Sequence, residues 1–156
     1  MTRRLPAALV ITGLTLAAAG AQAAAMTATD SQYFRSPSAR AAGLPFSEAV
    51  QVGGVIYLNN QLGNRPGVGQ MVEGGLDGQL AQAMRNIDAV LAARGRARRD
   101  IFKCTITLTD MSRWADMNRI WATYFEPDRL PVRNVIGVTG LPLSGVVGVE
   151  CAAATK

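Results

Sequence analysis

The chain has 156 residues, with 16 Lys and Arg against 11 Asp and Glu, a formal net charge of +5, and no histidine. Without His, the Ser–His and Cys–His triads and His-ligated metal centres are excluded, and two cysteines are too few for a zinc cluster. Any chemistry therefore runs on Arg, Glu, Asp, Asn, backbone groups and water, and neither a metal nor a cofactor is expected.

The first residues, MTRRLPAALVITGLTLAAAGAQAAAM, combine Arg3 and Arg4, an apolar run from Leu5 to Ala19, and small residues at 21–23. That order reads as a secretory signal peptide over residues 1–25, cleaved after Ala23 or Ala25. The run is shorter than the ~20 apolar residues a membrane span needs, so no stable membrane anchor is expected. The arginine pair is only a faint twin-Arg export signal. Residues 26–156 then form one domain, periplasmic or secreted. Loss of the leader removes two of the basic residues and no acid, leaving +3. So mild a balance argues for no nucleic-acid partner. The densest basic stretch, RGRARRD at 94–100, lacks stacking aromatics and sits where cations complement a helix C-terminus.

In chain order, Ala49–Val52 and Val55–Leu58 are β-rich runs around Gly53-Gly54, a hairpin signal. Residues 63–78 are Gly-rich and read as an ordered loop. They lack the third glycine of a dinucleotide fingerprint and any P-loop lysine pattern. Leu76, Leu80, Met84, Ile87 and Leu91 then mark one face of an amphipathic helix that Gly95 ends. IFKCTITLT alternates an apolar face (Phe102, Cys104, Ile106, Leu108) with a Thr-rich one. Asp110 or Ser112 caps a second helix whose apolar side is formed by Trp114, Met117, Trp121 and Tyr124 or Phe125. After EPDRLP come two closing strands with only two charges between them, Arg133 and Glu150. The order predicts an α+β fold, a sheet with both helices on one face. Its other face, rich in Thr and Val, then calls for self-association.

Arg133 and Glu150 are lone charges among Val, Ile and Gly, at positions that usually face inward. Asn118 lies between Met117 and Trp121, close to a helix's apolar side. Asn59, Asn60 and Gln61 end a strand. Singly, each has an ordinary structural explanation. As an ordered set, GLPFSEAV, IYLNNQLG, FKCTITLTDM, the W–MN–W–YF helix, PVR and VGVE resemble the RidA/YjgF family of reactive intermediate deaminases, over about Leu44 to Ala153.

The resemblance implies a chorismate-mutase-like homotrimer with sites in clefts between subunits. Periodicity alone would pair the last two strands as a hairpin, whereas the family fold inserts the last strand into the middle of the sheet. It further implies hydrolysis of short-lived 2-imino acids to 2-oxo acids and ammonia. Arg133 would bind the substrate carboxylate as a planar fork, and Glu150 would position and polarise a water. Asn118, Asn59, Asn60 and Phe46 would complete the site. This chain carries Phe46 where well-known members have Tyr, Asn59-Asn60 for Ser-Gly, and Val135 for a Cys found in several members. Those losses of hydroxyl groups fit a second reading, a non-catalytic trimer that binds a small carboxylate or holds client proteins. Cys104 and Cys151 would lie on neighbouring strands, where two buried free thiols are expected over a disulfide.

Overall fold

The computed structural model describes residues 31–155, so the leader lies outside the described residues. One mixed sheet carries the fold, in the order β1-β2-β3-β7-β5-β6, with a short β4 also paired to β7. The strands are β1 Gln32–Phe34, β2 Ala49–Val52, β3 Val55–Leu58, β4 Gln61–Leu62, β5 Ile101–Leu108, β6 Val132–Gly137 and β7 Val147–Ala154. The helices are α1 Pro37–Ala41, α2 Gly75–Ala92 and α3 Trp114–Trp121. β7 does insert centrally: it runs antiparallel to β3, β4 and β5, while β6 pairs parallel to β5.

The hairpin β2–β3 falls where the sequence puts it, with Val52 opposite Val55. Of its two glycines only Gly53 adopts a positive φ, +55°, so one left-handed position suffices for the turn. Helix α2 buries Leu76, Leu80, Met84, Ile87 and Leu91, each at 4% exposure or less. Fully burying such a side chain contributes about 1.5–3 kcal/mol, so this stripe anchors the helix on the sheet. Along β5 and β7, Cys104, Ile106, Leu108, Val147, Val149, Cys151 and Ala153 join the same core, and Met117, Ile120 and Trp121 of α3 close it. Among the described residues, no helix covers the opposite face of the sheet. Tyr33 (72%), Tyr57 (55%), Val132 (72%) and Ile136 (49%) stand open there.

Several features depart from the expectations. Strands β1 and β4 and helix α1 are additions, the last begun by Ser36, whose hydroxyl accepts from the Ala39 amide. Asp110 caps as expected, but on a turn of 3-10 helix, Met111–Arg113, placed before α3. Trp114, the first residue of α3, does not join the core as expected and is half exposed. Phe125 packs on Trp121, ring centroids 4.9 Å apart. Cys104 and Cys151 are joined as a disulfide, contrary to the expectation of free thiols. They face each other directly across β5 and β7, with Cα atoms 4.1 Å apart.

Buried amides tie α2 to the sheet edge. Asn86 donates to the carbonyls of Leu62 and Asn64, and Gln82 donates to the Asn86 Oδ1. Gln79 Oε1 accepts from the Val146 amide at 2.8 Å. Asn86 and Gln79 thereby satisfy backbone groups that would otherwise be costly to bury, and Gln82 holds the Asn86 amide in place.

Candidate functional site

Arg133 lies on β6 directly opposite Cys104 of β5. Paired residues of a parallel ladder point to one side, and Cys104 points into the core, so Arg133 leans toward the helices. Its guanidinium is 5.8 Å from the Trp121 ring centroid, and Nη1 reaches the Met117 Sδ at 3.8 Å. Neither neighbour is a charge partner. Burial lowers the Arg133 pKa from the ordinary arginine value, and no carboxylate acts to raise it again. The ion pairs among the described residues involve Arg98, Arg113 and Arg119. Arg133 is thus a partly desolvated planar donor with no carboxylate partner among the described residues.

Asn118, one residue beyond Met117 on α3, belongs to the same edge. Its Oδ1 is buried without a hydrogen-bond partner. Val135, two residues along β6 from Arg133, faces the same way and packs on the core. An anion docked here meets a fork of N–H donors, an amide and an aromatic wall.

Glu150 is elsewhere. It pairs with Thr105, between the inward-facing Val149 and Cys151, and therefore projects from the uncovered face, where it is exposed. The expectation that both lone charges face inward fails for Glu150, because β7 alternates and Glu150 takes the outer phase. Around it on that face are Thr105, Thr107 and Gly148. The Asn60 amide lies flat over Gly148: a Cβ there would stand 2.6 Å from Asn60 Nδ2 and 2.8 Å from Thr107 Oγ1. Only glycine admits that approach. Asn60 Oδ1 is buried and has no partner. Asn59 donates its amide to the Glu48 carbonyl, which brings the loop carrying the exposed Phe46 to this end of the sheet.

The predicted residues therefore divide into two groups. Arg133 and Asn118 form one, beside α3. Glu150, Asn59 and Asn60, with the Phe46 loop at the same sheet end, form the other. Two clefts of the single chain, one between Arg98, Tyr124 and Arg129 and one between Gly75, Asp110 and Val146, contain neither Arg133 nor Glu150. Thr107 and Gly148 were missed as site residues; the signal was the Thr-rich outer phase of β5 facing the outer phase of β7.

A single-sheet α+β fold with a central last strand and its helices packed on one face is that of the chorismate-mutase-like class, and it carries a partly buried arginine and an exposed glutamate on the strands flanking β5. The family model described as Endoribonuclease L-PSP matches residues 36–155, and the chain belongs to that family, also called RidA/YjgF. A mouse protein named 2-iminobutanoate/2-iminopropanoate deaminase is 38% identical over 109 residues, 70% of this chain and 80% of its own. A RutC family protein of Aquifex aeolicus is 37% identical over 110 residues, covering 70% of this chain and 87% of that one. Among solved structures, a Rid-family protein of unknown function from Yersinia pestis superposes with a TM-score of 0.72 at 31% identity, over 80% of this chain and 98% of that one. The family thus includes proteins named for imine deamination.

Proposed function

We propose that this protein hydrolyses small 2-imino acids to 2-oxo acids and ammonia, in clefts where the Arg133 group of one subunit meets the Glu150 group of another in a homotrimer. The observation that carries the reading is Arg133 itself, desolvated and without a carboxylate partner among the described residues. Its fork matches a carboxylate in two parallel hydrogen bonds. Asn118 offers its free Oδ1 to the N–H of the imine.

Glu150 takes a proton from a water as the oxygen attacks the imine carbon. That proton returns to nitrogen, and the resulting amino alcohol collapses. The hydroxyl proton passes through Glu150 to the amine, the C–N bond breaks, ammonia leaves with the electron pair, and the hydroxyl oxygen becomes the carbonyl of the 2-oxo acid. An imine is electrophilic enough for this sequence to need no covalent intermediate. The signal-peptide reading and the Cys104–Cys151 disulfide support action outside the cytoplasm, since such bonds persist in oxidising compartments.

The test is ammonia release by the mature protein from 2-imino acids freshly made by an amino-acid oxidase. A rate above the spontaneous hydrolysis is expected. The exposed Phe46, which brings no hydroxyl to the site, favours a second reading, a trimer that binds small carboxylates without turnover. Binding of a 2-oxo acid with no acceleration would establish that reading and overturn the first.

A further inference from the structure

We propose that the Cys104–Cys151 disulfide is a positioning element for Arg133, fixing where the guanidinium meets the substrate carboxylate. This rests on the deaminase reading of the site. Cys104 is the one residue paired with both Arg133 on β6 and Cys151 on β7. Among the described residues β6 ends the sheet and pairs with β5 alone, so the strand that carries Arg133 takes its place from β5. The hold of β5 on β7 has a weak point next to this pair: the register shifts at Ile101/Lys103, where β5 carries an extra residue. A slip by one residue would turn every side chain of β5 to the other face. The covalent rung at Cys104 forbids that slip at the second pair beyond the irregularity.

The rung also lies close to both chemical groups. Cys104 and Cys151 share one buried cluster with Met117 and Trp121, the two side chains Arg133 rests on. Glu150 is the residue next to Cys151, and its partner Thr105 is next to Cys104. Both cysteines are buried, at 1% and 3% exposure. A reductant does not reach them in the folded chain, so the bond is a fixed rung and not a switch. It forms during folding, when two thiols give two electrons and two protons to a disulfide-exchanging oxidant of the exporting compartment.

Two variants test the proposal, Cys104→Ala/Cys151→Ala and the better-packed Cys104→Val/Cys151→Ala. The readouts are oligomeric state, pyruvate binding by calorimetry, and kcat and KM on a 2-imino acid. The folded variants are expected to weaken pyruvate binding and raise KM about tenfold, with a smaller change in kcat, short of the hundredfold that a 1 Å misplacement can cause. Native wild-type protein in dithiothreitol should keep its KM. A variant with lower thermal stability but unchanged KM and pyruvate affinity would overturn the proposal, since the bond would then serve stability alone. Failure of both variants to fold overturns it too, because the bond would be needed by the whole fold. Wild-type protein that neither binds pyruvate nor releases ammonia overturns the deaminase reading itself, a different result from either of these.

Discussion

Arg133 and Glu150 stand on opposite faces of one sheet, on the two strands that flank β5. Arg133 pairs with Cys104, which points into the core, and Glu150 pairs with Thr105, which points out. No side-chain rotation can bring the two together through the sheet. A site that uses both must take them from two copies of the chain.

The arrangement predicts complementation between subunits. Glu150→Gln and Arg133→Ala chains should each be nearly inactive alone. Unfolded together and reassembled as mixed closed trimers, about a quarter of the interfaces receive both native residues by chance. Activity of the mixture should therefore recover to about a quarter of wild type. A mixture as inactive as its parents would show that one chain supplies both groups.

Arg133→Ala on its own should lower kcat/KM by tens to thousands of times. Removing one partner of a buried hydrogen-bonded charge pair costs roughly 2–5 kcal/mol, and about 1.4 kcal/mol is a factor of ten. Arg133→Lys should recover little, because a point charge does not reproduce the planar fork. Steady-state kinetics alongside light scattering checks both points, with the assembly unchanged. Undiminished activity in Arg133→Ala would place the site elsewhere.

The uncovered face predicts the assembly state. Tyr57 and Val132 are both more than half exposed on it, and an isolated chain would leave that apolar surface in water. Light scattering at micromolar concentration should give three times the chain mass. Val132→Asp should shift the protein toward the monomer and abolish activity with it. A wild-type monomer would reject the shared site.

Much of this fold was legible in the sequence. The five-residue stripe of α2 and the hairpin at Gly53-Gly54 are set by local periodicity and turn chemistry, so they fell where expected. The central place of β7 was not local information; it came from the family resemblance. The amides of Gln79 and Asn86 carry no apolar signal in the sequence, yet they are buried because the segment before β7 and the β4 edge need an acceptor and donors at those points. Arg133 and Glu150 were legible as a pair by their isolation, but not their division between faces. Strand alternation assigns a phase only once the register is known. The disulfide was missed for the same reason, since no spacing in sequence says that positions 104 and 151 oppose each other.

The leader reading predicts a defined first residue. N-terminal sequencing of the protein from its native host should find Ala24, Ala25 or Met26. Recovery of the intact chain from Met1 in the soluble cytosol would sink the export proposal.

The central position of β7 governs the order in which this molecule can be assembled. Until Val147–Ala154 arrives, β3 on one side and β5 on the other are open edges, each with unpaired amides and carbonyls. Neither half closes the sheet by itself, and contacts between positions so distant in sequence form slowly. The incomplete chain is therefore the aggregation-prone species. Trimming β7 would not shorten the protein by one strand but leave two sticky half-sheets, and a chaperone that serves this protein has those two edges to shield.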